Sequence, residues 1–233
     1  MAERPSDEWI EAANCLATVS HQLSSVLHEA NNFLQVIAGS AEMIQMQTGL
    51  PESVERRTAV IAEHAHKVSA LLGTVRELAK VAPAVPGERV DLAAVIATAL
   101  ELRRHGLTRW RIATSVDVPF QAPVARVSWR VAMQMLLNLL LNAERSVRGR
   151  TDGRIALQVV RDEARLVLSV SDNGAGQALA AGAPFTVGRE QDVAPRLGLG
   201  LDAVQVLATG CGGSLDVHVR EDGCTATITL PAA

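Results

Sequence analysis

Three residues in the run VLHEANNFLQVIAGSAEMI (26–44) have types and spacing that can do chemistry. His28 offers an imidazole nitrogen, a nucleophile once a neighbouring base manages its proton. Glu29, next in sequence, can hold or take the proton on the other ring nitrogen. Asn32 follows one turn on, along the same helical face. The bland alternative is the wet side of a helical bundle, where a lone histidine is usually just surface. The rest of the chain has to decide between the two.

A second set of candidates lies in the other half. NLLLN puts Asn138 and Asn142 four residues apart on one helix face, with Arg145 a turn further. Amide oxygens can ligate Mg²⁺ while a guanidinium meets phosphate. DNGAG places Asp172 at the end of a strand, followed by Gly174 and Gly176. A carboxylate there can accept from an exocyclic amine, and glycines let backbone approach a flat base. LGLGL sets Gly198 and Gly200 at a helix start, where free N–H groups suit phosphate oxygens. Taken singly, each signal is ordinary: polar surface, a turn, loop packing. Their order within one half of the chain gives them weight.

The elements that must hold these groups follow from periodicity. Residues 10–48 carry apolar groups at steps of three and four (Leu16, Val19, Leu23, Val26, Leu27, Ala30, Leu34, Ile37, Ala41, Ile44), which is one helical stripe. Gly49 and Pro51 in TGLPES break it. Val54, Ile61, Ala65, Val68, Leu72, Val75 and Ala79 form a second stripe. A two-helix hairpin cannot bury both stripes alone, so a homodimeric four-helix bundle is expected. VAPAVPGE (81–88), with two prolines and a glycine, reads as a linker.

Beyond the linker the texture changes. VDLAAVIATALELRR is a helix with Asp91 as N-cap, RWRIATSV alternates like a strand, and VSWRVAMQMLLNLLLNAERSV is a long apolar helix. RIALQVVRDEARLVLSVSD is a hairpin turning near Asp162 and Glu163. LGLDAVQVLATGCGG is a helix ended by glycines, and SLDVHVREDGCTATITL is a hairpin with an Asp-Gly turn. The result is an α+β chain of two domains: a helical hairpin over 8–80, the linker 81–88, and an α/β sandwich over 89–233.

Composition removes several function classes. The 233 residues are 48% hydrophobic but only 3% aromatic, with no Tyr, so aliphatic packing must fill the interior. With a net charge of -3 there is no basic field to hold nucleic acid. No run of about 18 apolar residues occurs, so no membrane span is expected. The three cysteines, Cys15, Cys211 and Cys224, lack any Cys-x-x-Cys pair and read as reduced thiols of the cytoplasm.

The motifs together carry a family resemblance. Residues 89–233 resemble the ATP-binding domain of histidine kinases, the Bergerat (GHKL) type shared with gyrase and MutL. The N box is NLLLNA, the first glycine box DNGAG, the F-box-like segment PFTVG and the second glycine box GLGL. The resemblance implies Mg²⁺ on Asn142 and Asn138, phosphate at Arg145 and the adenine amine at Asp172. It implies a base-facing loop at Gly174 and Gly176, phosphate contacts at Gly198 and Gly200, and Phe185 as anchor of a lid, TVGREQDVAP. Two departures bear on phosphate handling. Arg196-Leu197-Gly198 stands where Gly-Thr-Gly is usual, and the F box lacks its second Phe.

HEANNFLQVIAGSAEMI in turn resembles the H box of nitrogen-regulation-type histidine kinases, with Phe33 where proline is usual. In that family the histidine takes the γ-phosphoryl of ATP, and the position of Asn32 orients the water that hydrolyses a response regulator's phosphoaspartate. A rival acceptor, His21 in LATVSHQLSSVL, has Gln22 where the acid should be. The resemblance therefore implies a histidine kinase core. It takes ATP and Mg²⁺, phosphorylates His28 and passes the phosphoryl group to the receiver domain of a response regulator, with a phosphatase activity as well. Its input comes through a separate sensor or regulatory protein, or the sequence is the core of a longer kinase. One alternative is a phosphotransfer adaptor or response-regulator phosphatase whose ATP domain is catalytically weak; another is a scaffold without phosphoryl chemistry.

Overall fold

The computed structural model describes residues 27–79, 88–174 and 199–233. Contacts divide the chain into two compact units, Met1–Pro83 and Ala84–Ala233. His21 and most of the 81–88 segment lie outside the described residues.

The first unit is a pair of helices, α1 (27–45) and α2 (Glu52–Ala79). The break falls at Gly49, whose φ of 79° lies in the left-handed region, and at Pro51, whose carbonyl accepts from Val54 and Glu55. Small residues make the contact between the helices. Ala38 and Ala41 of α1 are buried, as are Thr58, Ala62 and Ala65 of α2. Two polar contacts cross between the helices: Ser69 donates to Asn31 Oδ1, and His66 Nε2 meets Glu42 at 2.9 Å. Leu27 is buried as well, but several larger apolar side chains stay uncovered. Ile37, Ile44, Ile61 and Val68, all members of the two stripes, are 38–47% exposed.

The second unit is a five-stranded sheet backed by helices. Its strands are β2 (Ala113–Asp117), β4 (Arg154–Asp162), β5 (Arg165–Asp172), β6 (Ser214–Arg220) and β7 (Gly223–Pro231), in the order β2-β4-β5-β7-β6. Only β2 runs parallel to its neighbour. A short pair, β1 (Val90–Asp91) with β3 (Val124–Ala125), is tied to the chain end by Arg126 N–H donating to Pro231 O. Helices α3 (Leu92–Arg109) and α5 (Leu199–Gly210) both pack on α4 (Trp129–Val147). Period-2 alternation sends Ile155, Leu157, Val159, Leu166, Leu168, Val170, Ala226, Ile228 and Leu230 to the buried face. Opposite it, hydroxyl pairs Ser169–Thr227 and Ser171–Thr225 bridge β5 and β7 at 3.2 and 3.0 Å.

Local chemistry explains the helix starts. The Asp91 side chain accepts from Ala93 N–H at 2.9 Å, and Ser128 accepts from Val131 N–H at 3.3 Å. Three details depart from the sequence reading. Helix α3 runs on to Arg109, beyond ELRR, because its last turns are held to α4. Leu107 is buried, and Arg103 grips the buried Glu144 through two bonds of 2.8 and 2.7 Å. Strand β2 therefore begins only at Ala113, after a turn in which Arg111 has φ 53°. The β6–β7 turn is Glu221-Asp222 instead of Asp-Gly, since Arg220 pairs with Gly223. A Cβ on Gly223 would come within 1.9 Å of Asp172 O, so glycine is needed inside the strand, where β7 presses on the end of β5.

The Arg103–Glu144 pair carries a stability prediction. Arg103→Ala leaves a buried carboxylate without its partner and should cost about 2–3 kcal/mol, the low end for breaking a buried pair because Arg103 is partly solvated. Urea unfolding followed by tryptophan fluorescence reads this. Glu144→Gln keeps an acceptor and should lose less; equal losses would mean that shape, not charge, matters there.

Candidate functional site

The N-box residues sit on the half-buried flank of α4. The helix buries Leu136, Leu139, Leu140 and Ala143. That rotation leaves Asn138, Asn142 and Ser146, each four residues apart, on a partly open side, and Arg145 exposed. Asn138 and Asn142 are thus presented together, as their spacing implies.

The DNGAG loop comes to the same flank. A Cβ on Gly174 would lie 1.8 Å from Ser146 Oγ and 2.7 Å from the Ser146 carbonyl carbon. Residue 174 is therefore glycine because the loop lies directly on the last turn of α4. Asp172, two residues earlier, ends β5 half-buried, and its Oδ1 accepts from Gly174 N–H at 2.9 Å. The intervening Asn173 fastens the loop to the neighbouring strand. Its Oδ1 accepts from Arg154 N–H at 2.6 Å, and its Nδ2 donates to Asp152 O at 2.9 Å. These contacts hold the loop after Asp172 against the last turn of α4, where Ser146 continues the asparagine row.

Ser146 and Asn173 were not among the sequence candidates. Ser146 continues the i, i+4 row of Asn138 and Asn142, a signal available beforehand. Asn173 reads as a turn residue until its cross-strand partners are known. Cys224 is a third addition. It stands opposite Asp172 in the β5–β7 register, and it shares the side of β7 that carries buried Ala226 and Ile228. Burial pushes its thiol up, and the Asp172 charge pushes it further.

Gly200 lies in the first turn of α5 with open space where a Cβ would stand, among the described residues. Gly176, Phe185 and Gly198 lie outside the described residues. In the first unit His28, Glu29 and Asn32 are all exposed on α1, whereas Asn31 turns to α2 through Ser69. No group of three or more His, Cys, Asp or Glu able to hold a metal occurs among the described residues.

Known proteins are similar to this chain in sequence and fold. Residues 130–233 match the histidine kinase-, DNA gyrase B-, and HSP90-like ATPase family. The chain is 26% identical over 227 residues to the C4-dicarboxylate transport sensor protein DctB of Rhizobium meliloti (strain 1021), covering 95% of this chain and 36% of that one. It is 24% identical over 232 residues to the signal transduction histidine-protein kinase AtoS of Escherichia coli (strain K12), covering 99% of this chain and 38% of that one. The chain is thus similar to histidine kinases over nearly its whole length, and residues 130–233 carry the match to the ATPase family. It spans well under half the length of those two relatives. The crystal structure of full-length ShkA in complex with AMPPNP has a similar fold. Its TM-score is 0.52 at 23% identity, covering 91% of this chain and 46% of that one. Among the described residues, no helix is long and apolar enough to cross a membrane.

Two outcomes test the geometry. Gly174→Ala forces a methyl group into Ser146 and should destabilise the second unit by about 1–3 kcal/mol in urea unfolding, as overpacking does. Adding Ser146→Gly should not restore it, because the backbone clash at 2.7 Å remains. Full rescue would show that only the hydroxyl is in the way. Asp172→Asn removes one of the two causes that raise the Cys224 thiol, so alkylation of Cys224, read by mass spectrometry, should begin at lower pH than in the parent. An unchanged alkylation profile would contradict the proximity of the two groups.

Proposed function

We propose that this chain is a histidine kinase core, which binds ATP in its second unit, phosphorylates His28, and passes the phosphoryl group to an aspartate of a response-regulator receiver domain. The observation that supports the reading is the close approach of Gly174, two residues after Asp172, to Ser146, the next member of the Asn138–Asn142 row. A carboxylate suited to an adenine amine and amides suited to a phosphate-bound cation would then belong to one site.

Within that reading, Asp172 accepts from the adenine amine and Arg145 meets phosphate. Asn138 and Asn142 hold Mg²⁺. Two neutral amides suit an ion that takes its remaining ligands from phosphates and water. When bound, the ion neutralises charge on the phosphates. At His28 one ring nitrogen forms a bond to the γ-phosphorus while the bond from that phosphorus to the β,γ-bridging oxygen breaks, releasing ADP. Glu29 takes the proton from the other ring nitrogen. The exposure of both side chains supports access by a large partner. Asn32, also exposed, positions water against a regulator's phosphoaspartate. The H box is of the nitrogen-regulation type on this reading, which the His28-Glu29-x-Asn31-Asn32 pattern supports.

The active form is a homodimer through the hairpins. Stripe residues Ile37, Ile44, Ile61 and Val68 remain 38–47% exposed in a single chain. Covering each in both copies contributes roughly 1 kcal/mol per side chain, set against an association cost of several kcal/mol. Light scattering at micromolar concentration should give a dimer, and Ile37→Glu with Ile61→Glu should give a monomer. A monomeric parent chain would contradict the bundle.

A second reading rests on the sequence Arg196-Leu197-Gly198: an adaptor or phosphatase whose ATP domain binds nucleotide but transfers poorly. Substitutions separate the two readings. Asp172→Asn should abolish nucleotide binding by calorimetry. Glu29→Ala should slow autophosphorylation by about 10²-fold, as loss of a general base does. Asn32→Ala should spare autophosphorylation and weaken dephosphorylation of the regulator. ATP binding without any phosphohistidine would favour the second reading.

A further inference from the structure

Strand β2 leaves one edge of the sheet without a neighbour among the described residues. It pairs with β4 in parallel, and Ala113 donates to Gly153 O at 2.9 Å. A parallel ladder uses alternate residues, so Thr114 and Val116 direct N–H and C=O away from β4. Such an edge is a template for another strand, and proteins usually guard it with charge, proline or a bulge. The other edge, β6, carries Asp216, His218 and Arg220 along its exposed side. β2 has no charge before Asp117, which is held by Gln158 at 2.9 Å. All five of its residues are exposed, Val116 by 45%, and Phe120 just beyond it is fully exposed.

The start of this edge is strongly basic. Arg148 and Arg109 stand over the Trp110 ring, 4.0 and 5.6 Å from its centroid. Stacking fixes the plane of a guanidinium and leaves its N–H groups available for a carboxylate. Two cations gathered on one ring repel each other, and neither forms an ion pair with a carboxylate among the described residues. Arg111, two residues before the strand, holds a left-handed φ of 53°. An open ladder with exposed Val116 therefore follows directly on a preorganised arginine cluster at the start of the strand.

We infer that the free edge of β2 and the arginine cluster around Trp110 form a docking site for an extended acidic segment of another polypeptide, which joins the sheet as an added strand. Backbone pairing with Thr114 and Val116 supplies the register. Acidic side chains meet Arg109, Arg111 and Arg148, and an apolar side chain covers Val116 and Phe120. The site does not depend on nucleotide chemistry.

The test uses the full chain and a fluorescent acetylated peptide in which glutamate alternates with valine, with a lysine-for-glutamate peptide as control. At low salt the acidic peptide should bind and slow amide exchange at Thr114 and Val116, read by NMR, while the control should not bind. Arg109→Glu with Arg148→Glu should weaken binding about tenfold or more, the scale for reversing close interfacial charges. Val116→Pro removes an outward donor without touching the β4 ladder, so it should fold and lose binding. Absent binding, or binding that leaves both amides unprotected, overturns the inference. Protection of those amides without peptide, rising with protein concentration, would also overturn it, since a second copy of the chain would then occupy the edge.

Discussion

Ser146 leaves no space for a side chain at residue 174, and much of the second unit is arranged around that contact. It fixes where β5 ends, and so where the Asp172 carboxylate stands. It also selects which flank of α4 stays partly open. The helix satisfies the contact only if its apolar face lies across β4 and β5 and the row Asn138, Asn142, Ser146 emerges at the rim. The Arg103–Glu144 pair holds the helix at that rotation from the other side, through α3. Gly223 extends the same crowding to β7, whose backbone comes against Asp172 O. Two glycines thus permit α4 and β7 to close on the chain at the end of β5.

The hairpin obeys a different constraint. Its helices meet through alanines and a threonine, so their backbones come close and little large apolar surface is covered within one chain. The isoleucines and valine of the stripes remain for another surface. Because the inter-helix contacts use Asn31, Glu42, His66 and Ser69, the side of α1 bearing His28, Glu29 and Asn32 stays open. Neighbouring asparagines in HEANN therefore have separate tasks: Asn31 holds the partner helix, and Asn32 faces water.

Local signals were readable wherever neighbours in sequence decide the structure. Asp91 and Ser128 cap helices, period-2 alternation sorts β4 and β5, and the Asn138–Asn142 spacing marks a helix face. What was hidden depends on partners far along the chain. Helix α3 extends past Arg104 because Glu144 holds it. β2 starts late for the same reason. The β6–β7 turn shifts by one residue because β5 forbids a side chain at 223. Gly174 was legible as a loop glycine, but the surface it accommodates, Ser146, needed the fold. Cys224 was legible as a free thiol and acquired a place beside Asp172 only through strand register.

Where a phosphoryl group goes decides what this chain does. The deciding measurement incubates the chain with γ-labelled ATP and Mg²⁺, tests the label for acid lability, and maps it by mass spectrometry. An acid-labile, base-stable label is expected on the peptide that contains His28, at the ring nitrogen. Label on His21, an acid-stable label, or no label on a chain that binds ATP would contradict it.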